Sequence, residues 1–264
     1  MPDSAPSSAS PYRPKTVLRI LVALSVVGMI TMNALANILP FFGRGTGEVS
    51  ALYPTLVTPA GYVFAIWGLI YIALLAYSAA QFIKPLAADP LPDALAWPLI
   101  VSNVANVAWL LLWHSLNIYW SVPVMLVLLG SLIVAYRIAR RDKTRVPSAL
   151  ERWAVRAPLG LYLGWVSVAT IANVSGALYA AKWTGWGIPA EWWGVVVLVV
   201  GAVLAFLGLL RERDGVFAGV FVWAFAGIAV ASASSLVRVT AGALAIAIAV
   251  GIVVSVVATR RSAR

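Results

Sequence analysis

Long apolar runs, separated by short polar or Pro- and Gly-rich stretches, dominate the chain. A transmembrane helix needs about 20 mostly apolar residues, and eight runs reach that length, at roughly 16–40, 59–83, 95–116, 119–138, 154–178, 190–210, 215–235 and 238–259. Loop chemistry marks the breaks. Pro85, Pro90 and Pro92 separate the second and third runs, and Gly185, Gly187 and Pro189 the fifth and sixth. Arg211–Glu212–Arg213–Asp214 forms a short hairpin between the sixth and seventh. No alternating strand pattern competes with these runs, so the pattern predicts an all-α, polytopic membrane helical bundle.

Composition narrows the class. Of 264 residues, 62% are hydrophobic and 11% charged. A soluble domain carries about a quarter charged residues, so this chain has too little charge to cover a water-facing surface. The mean hydropathy of +0.94 agrees. A soluble enzyme, a disordered protein and a disulfide scaffold are excluded. With no Cys and a single His, so are thiolate catalysis and a Cys- or His-rich metal site.

The net charge of +10 suggests nucleic acid until the charges are placed. With the N-terminus in the cytoplasm, only Arg44, Lys182 and Arg238 fall outside, and the other 16 of 19 basic residues fall inside. Eight spans with both termini cytoplasmic satisfy the positive-inside rule. Seven or nine would strand Arg260, Arg261 and Arg264 on the wrong side. The charge therefore reports orientation in a membrane, with no nucleic-acid partner, and segment 137–156 is placed to touch anionic lipid. The first run reads as a span and not as a cleaved signal, being too long and containing Thr31 and Asn33. Residues 1–15 are read as a cytoplasmic tail, disordered where they are Pro/Ser-rich.

No Asp, Glu, Lys, Arg or His falls in the middle of a run. Proton-coupled carriers and voltage sensors keep such residues there. Phosphate loops, nucleophile elbows and paired carboxylates are missing too, so no catalytic residue and no metal ligand is assigned. His114, at an outer end, reads as a polar end residue ahead of a haem ligand.

The polar and aromatic residues that remain fall into stripes. Phe64, Trp67 and Tyr71 are spaced three then four; Asn103, Asn106, Trp109 and Trp113 three, three, four; Tyr162, Trp165, Ala169 and Asn173 three, four, four. Asn33 and Asn37 share a face of the first run. Each stripe lies on one side of a helix. At 1.5 Å per residue, Asn33, Trp67, Asn106, Trp109 and Ala169 lie roughly 10–15 Å from the outer end, with Trp165 deeper. An Asn in hydrocarbon needs a partner or a cavity, so the layer is either interhelical glue or a pocket. The 41–58 loop favours a pocket. It carries Gly43, Gly45, Gly47, Glu48 and Tyr53, ends at Pro59, and is long enough to act as a lid.

These residues carry a resemblance. Pro59-Ala-Gly-Tyr62-Val-Phe64-Ala-Ile-Trp67-Gly-Leu-Ile-Tyr71, Asn106-Val-Ala-Trp109 and Tyr162-Leu-Gly-Trp165-Val-Ser-Val-Ala169-Thr-Ile-Ala-Asn173 stand in the order of motifs on helices two, three and five of the tryptophan-rich sensory protein/translocator protein family (TspO/MBR, peripheral benzodiazepine receptor-like). Phe64 and Trp67 are three apart where that family has four, Pro158 stands four residues before Tyr162, and Leu110 replaces a Ser. The resemblance covers roughly 16–180 and implies a five-helix TspO-like core. Residues 181–264 then form a three-helix C-terminal extension. It further implies a pocket that binds a tetrapyrrole or a sterol-like ligand and requires no cofactor, lined by Trp67, Tyr71, Asn106, Trp109, Tyr162, Trp165, Ala169 and Asn173. Asn33, Asn37, Tyr62 and Phe64 join the candidate lining, with Glu48, Tyr53 and Pro59 as lid residues.

Three readings stay open at this point. One is a sensor, buffer or carrier of a flat apolar ligand, with membrane lipids and that ligand as partners. Another is an enzyme acting on a porphyrin or isoprenoid, disfavoured by the missing acids and bases. The last is an accessory or lipid-handling subunit. The Gly160/Gly164 and Gly215/Gly219 spacings permit close helix packing or a homodimer.

Overall fold

Each long apolar run folds as a helix. The computed structural model describes the backbone of residues 12–39 and 41–262, and side chains within it except at 41 and 259–262. The expected disordered stretch up to residue 11, and the arginines at 260, 261 and 264, lie outside the described residues or side chains.

The order begins with α1 (Thr16–Ile38), the short α2 (Thr46–Ala51) and a 3-10 turn, Gly61–Ala65, running into α3 (Ile66–Ala80). Then come α4 (Leu91–His114), α5 (Ile118–Ala139), the single turn α6 (Ala149–Glu151) and a π turn, Arg152–Arg156, that leads into α7 (Ala157–Ala180). The chain closes with α8 (Ala190–Glu212), α9 (Gly215–Ala231) and α10 (Ser235–Ser262). No strand occurs among the described residues.

Seven helical segments are long and apolar enough to cross a bilayer. The eighth apolar helix, α9, has 17 residues, or about 25 Å against a hydrocarbon core of about 30 Å. It is shorter than the expected 215–235 run because the chain turns at Ser232–Ser234 and α10 already starts at Ser235. In contrast, α4 starts at Leu91 and not near 95. Pro92 sits in the first turn, where a missing N–H costs nothing, and Asp93 faces the positive end of the helix dipole. Between α8 and α9 the expected hairpin is tight. Arg213 is left-handed at φ 51°, and the Asp214 carboxylate accepts from the Val216 and Phe217 amides at 3.0 Å each, capping α9.

The centre of the bundle is α7. Every residue from Pro158 to Val168 is buried, and the helix packs against α3, α5, α8 and α9. Its side toward α9 is made of small residues. A Cβ added at Gly164 would lie 3.0 Å from Val220, and one at Gly160 would run into the Asp214 carboxylate. The Gly160/Gly164 spacing thus serves close packing inside the chain. On one flank α1 packs on α3 and α4; on the other, α10 packs on α8 and α9. The C-terminal helices are joined to the rest chiefly through the α7–α9 contact.

Buried charges gather at the end of the bundle away from α2. Arg19 meets Asp93 at 2.6 Å and donates to the carbonyls of Gln81 and Asp89 at 2.8 Å, tying α1 to the α3–α4 connection. Arg140 meets Asp214 at 2.5 Å, and the Tyr136 hydroxyl donates to the same carboxylate at 2.9 Å. Glu151 holds Arg145 at 2.6 Å and Arg156 at 2.8 Å. The outer faces of the long helices expose aliphatic side chains such as Leu24, Val104, Leu126 and Val199, as a lipid solvent requires.

Candidate functional site

The opposite end is built by the segment between α1 and α3. The sequence predicts a lid-like loop over 41–58, and the structure puts the helix α2 inside it. Glu48 explains the start of α2, since its carboxylate accepts from the Gly45 amide at 2.9 Å. Glu48 is therefore a capping residue, exposed and away from the cavity described below. The buried Val49 anchors α2 from beneath. Trp113 Nε1 donates to the Thr46 carbonyl at 3.3 Å, and Thr46 Oγ1 lies 2.9 Å from His114 Nε2, so α2 is latched to the end of α4. Tyr53, just past α2, packs on Trp113 with ring centroids 6.2 Å apart.

Beneath this lid lies a cavity with walls from three helices. The lid gives Thr46, Ser50 and Tyr53, followed by Thr58 and Pro59. Phe64 and Trp67 enter from the α3 side, and Trp109 and Trp113 from α4. From α7 come Trp165, Val168, Ala169, Ala172, Asn173 and Gly176. Mouth included, the depression holds about 570 Å³ of empty space, of which a solvent-sized molecule reaches only a small part. It is narrow crevice between rings, room for a few waters at most.

The rings are arranged in two groups. Trp165 receives Phe64 and Trp67 nearly edge-on, at 5.8 and 6.2 Å between centroids. Trp109 and Trp113 stack at 5.6 Å with 22° between planes. Both geometries are favourable for aromatic pairs. The polar groups are mostly spent on one another. Trp109 Nε1 donates to Asn173 Oδ1 at 3.3 Å, and Asn173 Nδ2 to Ser121 Oγ at 2.8 Å. A fully buried donor is left over. Trp165 is 2% exposed, and its indole N–H has no hydrogen-bond partner among the described residues.

Several expected lining residues take other positions. Tyr71 stacks on Trp67 at 5.7 Å, and Tyr162 meets the same ring edge-on at 6.0 Å, so both back the wall without forming it. Asn33 Nδ2 donates to Asn106 Oδ1 at 2.8 Å, a buried amide pair between α1 and α4. Asn37 donates to the Asn33 carbonyl at 2.8 Å and reaches the Thr46 amide over a long 3.5 Å. Tyr62 is turned away, half exposed, with its ring edge-on to Trp223 of α9 at 5.4 Å. The lining also includes residues that sequence reasoning did not select. Trp113 belonged to a noted stripe. Gly176 continues the Trp165–Ala169–Asn173 face by one turn, and a Cβ there would come 3.6 Å from the Tyr53 Cβ. Thr46, Ser50, Thr58, Val168 and Ala172 carry no sequence signal of their own.

No Asp, Glu, Lys, Arg or His lines the cavity, and no group of His, Cys, Asp or Glu suited to a metal occurs among the described residues. What the arrangement offers is flat apolar contact and a few hydrogen-bond donors, the buried Trp165 N–H among them. A family model described as TSPO-like protein matches residues 19–254. The motif resemblance covers roughly 16–180, and this match runs on through α8 and α9 into α10. No curated protein and no solved structure matches the chain.

Proposed function

Because the chain belongs to the TSPO-like protein family and is an integral membrane protein by its seven long apolar helical segments, we propose that it binds a flat apolar ligand of the tetrapyrrole class under the α2 lid. The observation that carries this reading is the unpartnered indole N–H of Trp165, buried against a cavity walled by Phe64, Trp67, Trp109 and Trp113. A buried donor without an acceptor costs roughly 1–3 kcal/mol. A ligand bringing a carbonyl or carboxylate oxygen to Trp165 recovers that energy while its ring is sandwiched by indoles. The narrowness of the cavity implies that α2 lifts on entry, and the Thr46 contacts with Trp113 and His114 are what it breaks.

Holding and release suit a lining without ionised side chains better than acid–base turnover does, so the role is that of a sensor, buffer or carrier. The basic end faces the cytoplasm, with both termini there and α9 counted as an eighth, short span, and the lid faces outward. Titration of the purified protein with protoporphyrin, followed by Trp fluorescence, tests the reading. Micromolar ligand is expected to quench, and the Trp67→Ala/Trp165→Ala variant to lose most of that quenching. Equal quenching in parent and variant contradicts it.

A further inference from the structure

A second cavity adjoins the first and differs from it in chemistry. Its walls are Ile171 of α7, Val197 and Leu198 of α8, and Phe225 and Ile228 of α9. Mouth included, it holds about 270 Å³ of empty space, most of it too narrow for a solvent-sized molecule, so a ligand must part the helices to enter it. Two residues, Val168 and Ala172, line both cavities, one turn apart on α7. The chain leaving the lid also serves both, with Thr58 and Pro59 in the first and Val57 in the second. Val168 and Ala172 are thus the wall the two spaces share.

The contrast lies in polarity. The first cavity has hydroxyls, an amide and the Trp165 N–H; every side chain of the second is hydrocarbon. The second also sits where α7 and α8 are only loosely joined. The contact of α7 with α8 is slight compared with its contact with α9, and Ile171 and Val197 are only half-buried. The neighbouring Val196 and Val200 of α8 are exposed on the surface that faces lipid. The crevice therefore lies between the wall of the aromatic cavity and the lipid-facing surface of α8.

We infer that the ligand has two parts: a flat ring with a polar edge, seated in the first cavity, and a long apolar chain of isoprenoid or acyl type. The chain crosses the shared wall at Val168 and Ala172 and lies between α7, α8 and α9. This rests on the ring-binding reading above and extends it, since it gives the C-terminal helices a share of the binding site. A planar ligand without a tail leaves the second cavity unused. A tail without a ring has nothing to offer Trp165.

The test compares two esters of one chromophore, pheophorbide a methyl ester and its phytyl ester, pheophytin a. The full chain is placed in phosphatidylcholine nanodiscs, empty nanodiscs are subtracted, and binding is read by Trp quenching. Val197→Phe fills the crevice from α8 without touching the ring cavity. It is expected to weaken the phytyl ester about tenfold, the equivalent of roughly two buried methylenes, and to leave the methyl ester within about twofold, a few tenths of that change on the free-energy scale. Retained methyl-ester binding shows that the variant is folded. If Val197→Phe does not fold, Ile171→Phe fills the crevice from α7 and carries the same expectation. An unchanged phytyl ester, or equal weakening of both esters, overturns the two-part ligand and leaves ring binding standing. Failure of both esters to quench the parent protein overturns the ring-binding reading and this one with it.

Discussion

The two ends of the bundle differ in the kind of polar group they bury. At the basic end, charge is buried and used. Arg19, Asp93, Glu151 and Asp214 each hold an ion pair of 2.5–2.8 Å, and Arg140, one nitrogen of which has no partner among the described residues, lays its guanidinium 3.9 Å over the Tyr136 ring. At the lid end no ionised side chain lines the cavity, and a buried donor is left without an acceptor. A folded chain tolerates such a group where something else supplies the partner. The difference teaches that ion pairs fasten helices at the basic end, whereas on the proposed function the lid end, with its uncharged aromatic lining, is where a ligand is held.

The largest way to break this contrast is Asp214→Ala. It leaves Arg140 buried without its carboxylate and removes the cap of α9, a loss of about 3–5 kcal/mol. Thermal unfolding in detergent is expected to fall sharply, with ligand affinity per folded molecule unchanged. Gly164→Leu comes next. It drives a side chain into Val220 and the α9 backbone, and a cost of about 1–3 kcal/mol is expected in the same assay.

Trp165→Phe inverts the pattern. Removing an unsatisfied buried donor is expected to leave thermal stability level or slightly higher, while ligand affinity falls by up to about tenfold, the worth of one hydrogen bond. A joint loss of stability and binding would make Trp165 a packing residue and erase the contrast. The smallest effect is expected from Thr46→Val. It gives up the hydroxyl contact to His114 but keeps the carbonyl that accepts from Trp113. Stopped-flow quenching is expected to show faster ligand entry, by a few-fold at most, with melting barely changed.

The helices, and the faces of α4 and α7 that carry Trp109, Trp165, Ala169 and Asn173, were legible because hydrophobic period and stripe spacing are local properties of the chain. The facing of Tyr62 was not. Gly61–Ala65 winds as a 3-10 turn with about 3 residues per turn. That winding lets Phe64 and Trp67 reach Trp165 at a spacing of three and swings Tyr62 out to Trp223. Helix α2 is six residues long, too short to show a period. The buried ion pairs read only as charges near span ends, because their partners lie far apart in sequence, as Arg19–Asp93 and Arg140–Asp214 do. The second cavity left no trace either, since Val, Ile and Leu mean the same thing at every apolar position.

The central claim is that the lid-end aromatic cavity holds a conjugated ligand in the living membrane. The most direct measurement is absorbance and mass spectrometry of the protein purified from its native membrane, beside the Trp67→Ala/Trp165→Ala variant prepared identically. A conjugated chromophore near one per chain in the parent and depleted in the variant is the predicted result. The same chromophore at equal occupancy in both, or none in either, would contradict it.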